Sequence, residues 1–109
     1  MQLITKTIEN KLKKRPLNSQ EGNENPDIVV KFFNPCGIGT WYITEGEKQP
    51  DGDWLLFGLC CLQEAELGYV MLSELKKLRL PFGLSIERDI RYTGKLADAR
   101  KESKHRCNC

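Results

Sequence analysis

The sequence has no long hydrophobic run and nothing resembling a leader segment. None of its apolar stretches approaches the roughly 20 residues that a membrane-spanning helix needs, so no membrane span is predicted. Residues 1–14 lack the apolar segment and the small-residue cleavage site of a signal peptide. These two absences favour a cytoplasmic protein.

Catalytic motifs are also missing. The chain has one histidine, His105, which lies close to the C-terminal end, and no serine is spaced with histidine and aspartate as a catalytic triad would require. Gly37 and Gly39 follow a predicted strand but open no helix, so they do not form a phosphate-binding loop. The residues alone therefore name no activity.

What the sequence does contain predicts one small domain. A chain of 109 residues with 39% hydrophobic residues is long enough for one modest core and too short for two. The charge is uneven: residues 1–16 and 95–109 each carry five Lys or Arg, and residues 17–94 have a net charge of −5. The chain thus has basic ends and an acidic middle.

The segment of residues 31–58 predicts an antiparallel meander, because apolar and aromatic runs alternate with turn-forming residues. Strands are predicted at residues 28–33, 41–44, 54–59, 68–72 and 85–92, with turns at 34–39 and 45–53 and a connection at 60–67. A helix is predicted at residues 3–14 with Thr5 as its N-cap, and a second one is predicted to be capped by Ser73. The expected fold is α+β: a small antiparallel sheet of four to five strands with one or two short helices, in a single domain of residues 1–93. A basic, cysteine-containing tail of residues 94–109 has little to bury, so we expect it to be mobile unless it is tethered.

Several short sequence words occur in a recognisable order: KFFNP, TWY, TEGE, DGDWLLFGL, ELGYVMLSEL and PFGLSIERD. This series resembles DUF2958, a family of small proteins common on plasmids, integrative elements and prophages. The resemblance covers residue 3 to about residue 92, and it implies an accessory protein of a mobile element. Family members are sometimes labelled single-stranded-DNA endonucleases, but no catalytic residues carry over. The Cys60-Cys61 doublet and the HRCNC ending depart from the family pattern.

The five cysteines suggest a structural zinc site. Cys60 and Cys61 could combine with Cys107 and Cys109 in a tetrahedral Cys₄ centre that tethers the tail, with Cys36 or His105 as substitute ligands. Neither pair has the usual CxxC spacing. The alternative is that the doublet packs as small apolar residues and the tail is free.

The acidic residues allow two functional interpretations. Two or three carboxylates could converge on Mg²⁺ in a nuclease site; the candidates are Glu45, Glu47, Asp51, Asp53, Glu66, Glu87 and Asp89. Alternatively, Glu45, Glu47, Asp51 and Asp53 form an acidic face that complements the basic groove of a nucleic-acid enzyme. A solvated acidic rim without function remains the plain alternative.

The aromatic residues are expected to be mostly core, because a small domain needs them inside; they are Phe32, Phe33, Trp41, Tyr42, Trp54, Phe57 and Tyr69. Stacking of single-stranded bases on an exposed part of this set is the alternative. Direct nucleic-acid binding would more naturally use the basic tail.

Together these features predict a non-enzymatic phage or mobile-element protein that binds a host protein in the host cytoplasm. The preferred target is a nucleic-acid-directed defence nuclease, which would make the chain an anti-CRISPR-like inhibitor. The alternative is a metal-dependent single-stranded-DNA endonuclease. The sequence leaves the partner and the oligomeric state open.

Overall fold

The computed structural model describes residues 3–106, with side chains through residue 103. In this range the chain forms one antiparallel sheet of five strands and three α-helices. The strands are β1 (Val30–Phe33), β2 (Thr40–Lys48), β3 (Trp54–Cys61), β4 (Ala65–Met71) and β5 (Glu87–Arg88), and the helices are α1 (Lys6–Lys13), α2 (Leu72–Lys77) and α3 (Leu96–Arg106). The strand order is β4-β3-β2-β1-β5. The predicted α+β fold is confirmed.

Helix α1 begins where the sequence indicates a cap. Thr5 has an extended backbone, and its Oγ1 accepts a hydrogen bond of 3.3 Å from the Ile8 amide, which satisfies one of the free donors at the helix start. Ile8 and Leu12, four residues apart and therefore on one face, are both buried. None of the helices in the described range is long and apolar enough to cross a membrane.

The hairpin of β2 and β3 is the centre of the sheet. Its register shifts between Ile43 and Glu45, where β2 carries a β-bulge. Gly58 opposes Ile43 at this point, and a side chain there would overlap the Tyr42 carbonyl oxygen. The close approach of the two backbones therefore requires glycine.

The front face of the sheet is the face that α1 and α2 cover. Its core contains strand residues and helix residues in one cluster: Phe32, Trp41, Ile43, Trp54, Leu56, Ile8, Leu12, Leu72 and Leu75. Both tryptophans are thus buried on this face, as the prediction of an aromatic core expects.

The back face carries a second, smaller core under α3. Tyr42 and Leu59 are fully buried there against Leu96 and Ala99 of the helix. Trp41 and Tyr42 point to opposite faces, and both are buried because helices cover both faces. Residues 96–106, which the sequence analysis assigned to a tail that is mobile unless tethered, form α3, and this helix packs on the sheet.

A buried lysine joins α3 to the sheet. The side chain of Lys31 is 1% exposed, and its Nζ lies 3.1 Å from Glu102 Oε1 and 3.7 Å from Asp89 Oδ2. The ring centroids of Tyr42 and Tyr92 lie 5.3 and 4.9 Å from the same Nζ. Two carboxylates and two aromatic rings therefore compensate the loss of water around this ammonium group.

Three boundaries differ from the sequence predictions. Strand β2 continues to Lys48, through the predicted turn, because its residues 45–48 pair with residues 54–57 of β3. On the other side, where β1 no longer pairs with β2, the Gly46 amide donates to the Arg15 carbonyl. Helix α2 follows Met71 rather than Ser73, and the Met71 amide donates to Glu74 Oε1. The last predicted strand, at residues 85–92, is reduced to two residues in β5.

Candidate binding surface

The four carboxylates predicted to bind a partner do not form one exposed face. Glu47 and Asp51 are exposed at the β2–β3 hairpin. Glu45 is only 5% exposed and lies beneath the loop that follows α1, where its Oε2 accepts a long hydrogen bond of 3.4 Å from the Gln20 amide. Only half of the predicted set is therefore directly available to a large partner.

Asp53, the fourth member, has a structural role. Its Oδ1 accepts hydrogen bonds from the amides of Trp54, at 2.8 Å, and of Ser73, at 3.1 Å. The Ser73 side chain is the main cause that lowers the pKa of Asp53 from its usual value, and the backbone donors add to this effect. The carboxylate thus ties the β2–β3 turn to the first turn of α2.

The predicted zinc ligands are only partly within the described range. Cys60 and Cys61 are consecutive residues of β3, so their side chains point to opposite faces of the sheet. Cys60 is a free thiol whose pKa is raised by burial, whereas Cys61 is fully buried. Cys107 and Cys109 lie outside the described residues, and so does the side chain of His105.

No described group of three or more Cys, His, Asp or Glu side chains is arranged to hold a metal ion. Cys36, a substitute ligand in the zinc hypothesis, is exposed, and its Sγ lies 3.8 Å from the Pro81 carbonyl oxygen. The zinc site stays a prediction.

The carboxylates considered for a magnesium site are spread over the sheet. Glu66 belongs to β4 and Glu87 to β5, which are opposite edges of the sheet. Four strand spacings of about 4.8 Å separate such edges, or roughly 19 Å. Asp89 is paired with the buried Lys31, so the described residues do not bring this set together.

An acidic groove that the sequence analysis did not identify runs along β3, β4 and α2. It has a volume of about 930 Å³, and its apolar wall includes Trp41, Cys60, Val70 and Leu75. Three glutamates line it, namely Glu64, Glu66 and Glu74, and no Lys or Arg of the described chain does. We call this feature the acidic groove.

The acidic groove borders an open strand edge. Strand β4 is the outermost strand of the sheet on that side, so its outer backbone groups have no strand partner among the described residues. Leu67 and Tyr69 of β4 are 46% and 58% exposed. Exposed apolar side chains beside unpaired backbone groups are typical of a surface that receives another chain.

A signal for the acidic groove exists in the sequence but is easily missed. The segment at residues 62–69, LQEAELGY, alternates acidic and apolar residues, which on a strand puts the two classes on different faces. We predicted a connection at residues 60–67, whereas β3 extends to Cys61 and β4 begins at Ala65.

Comparison with known proteins identifies the family and nothing closer. Neither the curated proteins nor the solved structures compared with the chain contain a significant match. One family profile, described as "Protein of unknown function (DUF2958)", matches residues 3–99. This match includes every strand and the first residues of α3. It confirms the resemblance seen in the sequence, and the chain belongs to the DUF2958 family.

Proposed function

We propose that this chain is a non-enzymatic, mobile-element protein that acts by binding a basic surface of a host protein through its acidic groove. The observation that carries the proposal is the composition of that groove: three glutamates around an apolar wall, with no basic residue of the described chain lining it. Apolar contacts supply affinity, and the surrounding charge selects a positively charged partner.

The preferred partner is a nucleic-acid-directed defence nuclease in the host cytoplasm. Such enzymes bind phosphates with Lys and Arg side chains, and these would meet the glutamates of the acidic groove. The net charge of −5 over residues 17–94 supports the same direction of complementarity. In this function the chain is an anti-CRISPR-like inhibitor.

The test compares two acidic surfaces in the same protection assay. Cells that carry a defence nuclease and express the chain are transformed with a targeted plasmid, and the transformation efficiency is measured. We expect the wild-type chain to restore transformation. The triple variant Glu64→Gln, Glu66→Gln, Glu74→Gln should lose this protection.

The control for the groove variant is the double variant Glu47→Gln, Asp51→Asn, which neutralises exposed acidic residues of the β2–β3 hairpin. We expect it to protect as well as the wild type does. Loss of protection in this arm alone would move the contact to the hairpin and overturn the assignment of the groove. Failure of the wild-type chain to protect against any of a panel of defence nucleases would overturn the function.

The nuclease alternative is tested with the purified chain, labelled single-stranded DNA and Mn²⁺. No observation on the described residues favours it, and it stays a prediction. Cleavage that disappears in Asp51→Asn and Glu47→Gln would replace the binding function with an enzymatic one.

A further inference from the structure

A second cavity lies on the back face of the sheet, and its floor carries a buried carboxylate. Leu67 and Tyr69 of the edge strand β4 line both this cavity and the acidic groove. The volume of the second cavity is about 230 Å³, below the roughly 300–1,000 Å³ typical of pockets for drug-sized ligands. The loop after α1 forms one side with Asn18, Gln20 and Asn23, and the sheet forms the other. The cavity is therefore of the size to take one side chain.

The carboxylate is that of Glu45, which is 5% exposed. Among the described residues its one hydrogen bond is the long contact of 3.4 Å with the Gln20 amide, and no Lys or Arg of this range forms an ion pair with it. A buried carboxylate with so little compensation is costly. Lys31, the other buried charged side chain in the described part of the chain, has two carboxylates and two rings around it.

Aromatic rings stand next to this carboxylate. Glu45 opposes Phe57 across β2 and β3, and Phe57 opposes Tyr69 across β3 and β4, so the three side chains follow each other across one face. The two rings are 4.8 Å apart with an interplanar angle of 56°. All three residues line the cavity, and so does Glu21. No described lysine or arginine is among the lining residues.

A carboxylate beside aromatic faces is a site for an organic cation. The carboxylate accepts charge-assisted hydrogen bonds, and the ring faces attract positive charge. A guanidinium group meets both requirements better than an ammonium group, because it is planar, stacks on rings and donates two parallel hydrogen bonds to one carboxylate.

We infer that this cavity binds the guanidinium group of an arginine side chain, held between the Glu45 carboxylate and the ring of Tyr69. The ligand chemistry is tested with a small molecule, so the outcome does not depend on the defence nuclease proposed above. Arginine on the surface of a basic partner would be the natural source of the group.

The experiment is an NMR titration of the ¹⁵N-labelled chain with N-acetyl-arginine methylamide. The control ligand is N-acetyl-citrulline methylamide, which has the same shape but an uncharged urea group. We expect saturable shifts at the amides of Gln20, Phe57 and Tyr69, with a dissociation constant in the millimolar range for one side-chain group. The citrulline compound should bind at least tenfold more weakly.

Three variants test the assignment of the site. Glu45→Gln keeps the shape of the side chain and should weaken arginine binding at least tenfold. Glu47→Gln removes the same charge two residues further along β2, on an exposed side chain, and should bind as the wild type does. Tyr69→Leu should weaken binding several-fold, and it provides a second route if Glu45→Gln fails to fold.

Four results would overturn the inference. The first is equal shifts with the arginine and citrulline compounds, and the second is unchanged binding by folded Glu45→Gln or by Tyr69→Leu. The third is a set of shifts confined to residues that line only the acidic groove. The fourth is the absence of any saturable shift up to the solubility limit of the arginine compound.

Discussion

On the front face of the sheet α1 and α2 cover a core that reaches from β1 to β3, whereas on the back face α3 covers only the part around Tyr42 and Leu59. The remaining back face, around Phe57 and Tyr69, is half-buried or exposed. The buried charges follow the same division. Lys31 is compensated under α3, and Glu45 lies next to the uncovered part. The difference indicates that the front face maintains the fold and that part of the back face is available for binding.

The largest loss of stability should come from a substitution at the close contact between β2 and β3, since both cores are built on these two strands. In Gly58→Ala the new methyl group would overlap the Tyr42 carbonyl oxygen, and backbone cannot move aside as a side chain can. We expect a loss of more than about 3 kcal/mol in the free energy of unfolding, measured by urea denaturation. Gly68→Ala is the matched control, because Gly68 opposes Gly58 on β4 and nothing lies within 4 Å of the position that its added methyl group would take. Comparable losses in the two variants would contradict the close approach at the bulge.

The next prediction compares the stability lost when one side chain is truncated on each face of the sheet. Leu56→Ala removes a fully buried side chain from the front core, and we expect a loss of about 2–5 kcal/mol. Tyr69→Ala removes a side chain that is 58% exposed and touches Phe57, so the loss should be about 1 kcal/mol. Equal losses in thermal or urea melts would mean that the exposed back face is part of the stabilising core.

A smaller effect is expected at the contact between α3 and the sheet. Glu102→Gln removes one of the two carboxylates around Lys31, but Asp89 remains 3.7 Å from the Nζ. Because the Glu102 side chain is 29% exposed, water screens part of the interaction, and we expect a loss of about 1–2 kcal/mol. The control is Glu24→Gln, an exposed carboxylate, which should change stability by less than about 0.5 kcal/mol. If the denaturation midpoint of Glu102→Gln equals that of the wild type, the ion pair of Lys31 does not hold α3 on the sheet.

The smallest effect concerns pH. The Ser73 side chain lowers the pKa of Asp53 below its usual 3.8, so the unfolded chain binds this proton more tightly than the folded chain does. The stabilisation is therefore present above that usual value and is lost as the pH falls towards the folded-state pKa. Melts between neutral pH and about pH 3 should show a shallower acid decline for Asp53→Asn than for the wild type. Glu47→Gln, an exposed acid of the same hairpin, should keep the wild-type slope.

The sequence predicted the fold well where local chemistry and tertiary structure agree. Thr5 caps α1 as predicted because its hydroxyl acts within its own helix. The aromatic strands formed as expected because their apolar residues alternate with turns. Strand β2 was cut short in the prediction because Glu45 and Glu47 are poor strand residues. Its extension is held by pairing with residues 54–57 of β3, after a register shift that sequence patterns do not reveal. The Arg15 carbonyl, about thirty positions earlier in the chain, accepts from Gly46 on the other side.

The site was harder to predict for the same reason. The sequence grouped Glu45 with Asp53 because they flank one turn, but the bulge turns Glu45 under the loop after α1, and Ser73 engages Asp53. Helix α3 was missed because it has few apolar residues, although Leu96, Ala99 and Ser103 have the spacing of one buried helix face. The acidic groove depends on how β4 and α2 lie together, which a linear pattern does not show.

The Lys31–Glu102 contact has a consequence for the order in which the chain folds. The two residues are 71 positions apart, so a ribosome making about 5–20 residues per second exposes β1 for several seconds before α3 exists. During that interval the front-face helix α1 can already pack on the nascent hairpin, while Lys31 and Tyr42 still face water. The back-face core therefore cannot close before α3 has been made, and a released chain that ends before residue 96 should retain a solvated lysine in the middle of its sheet.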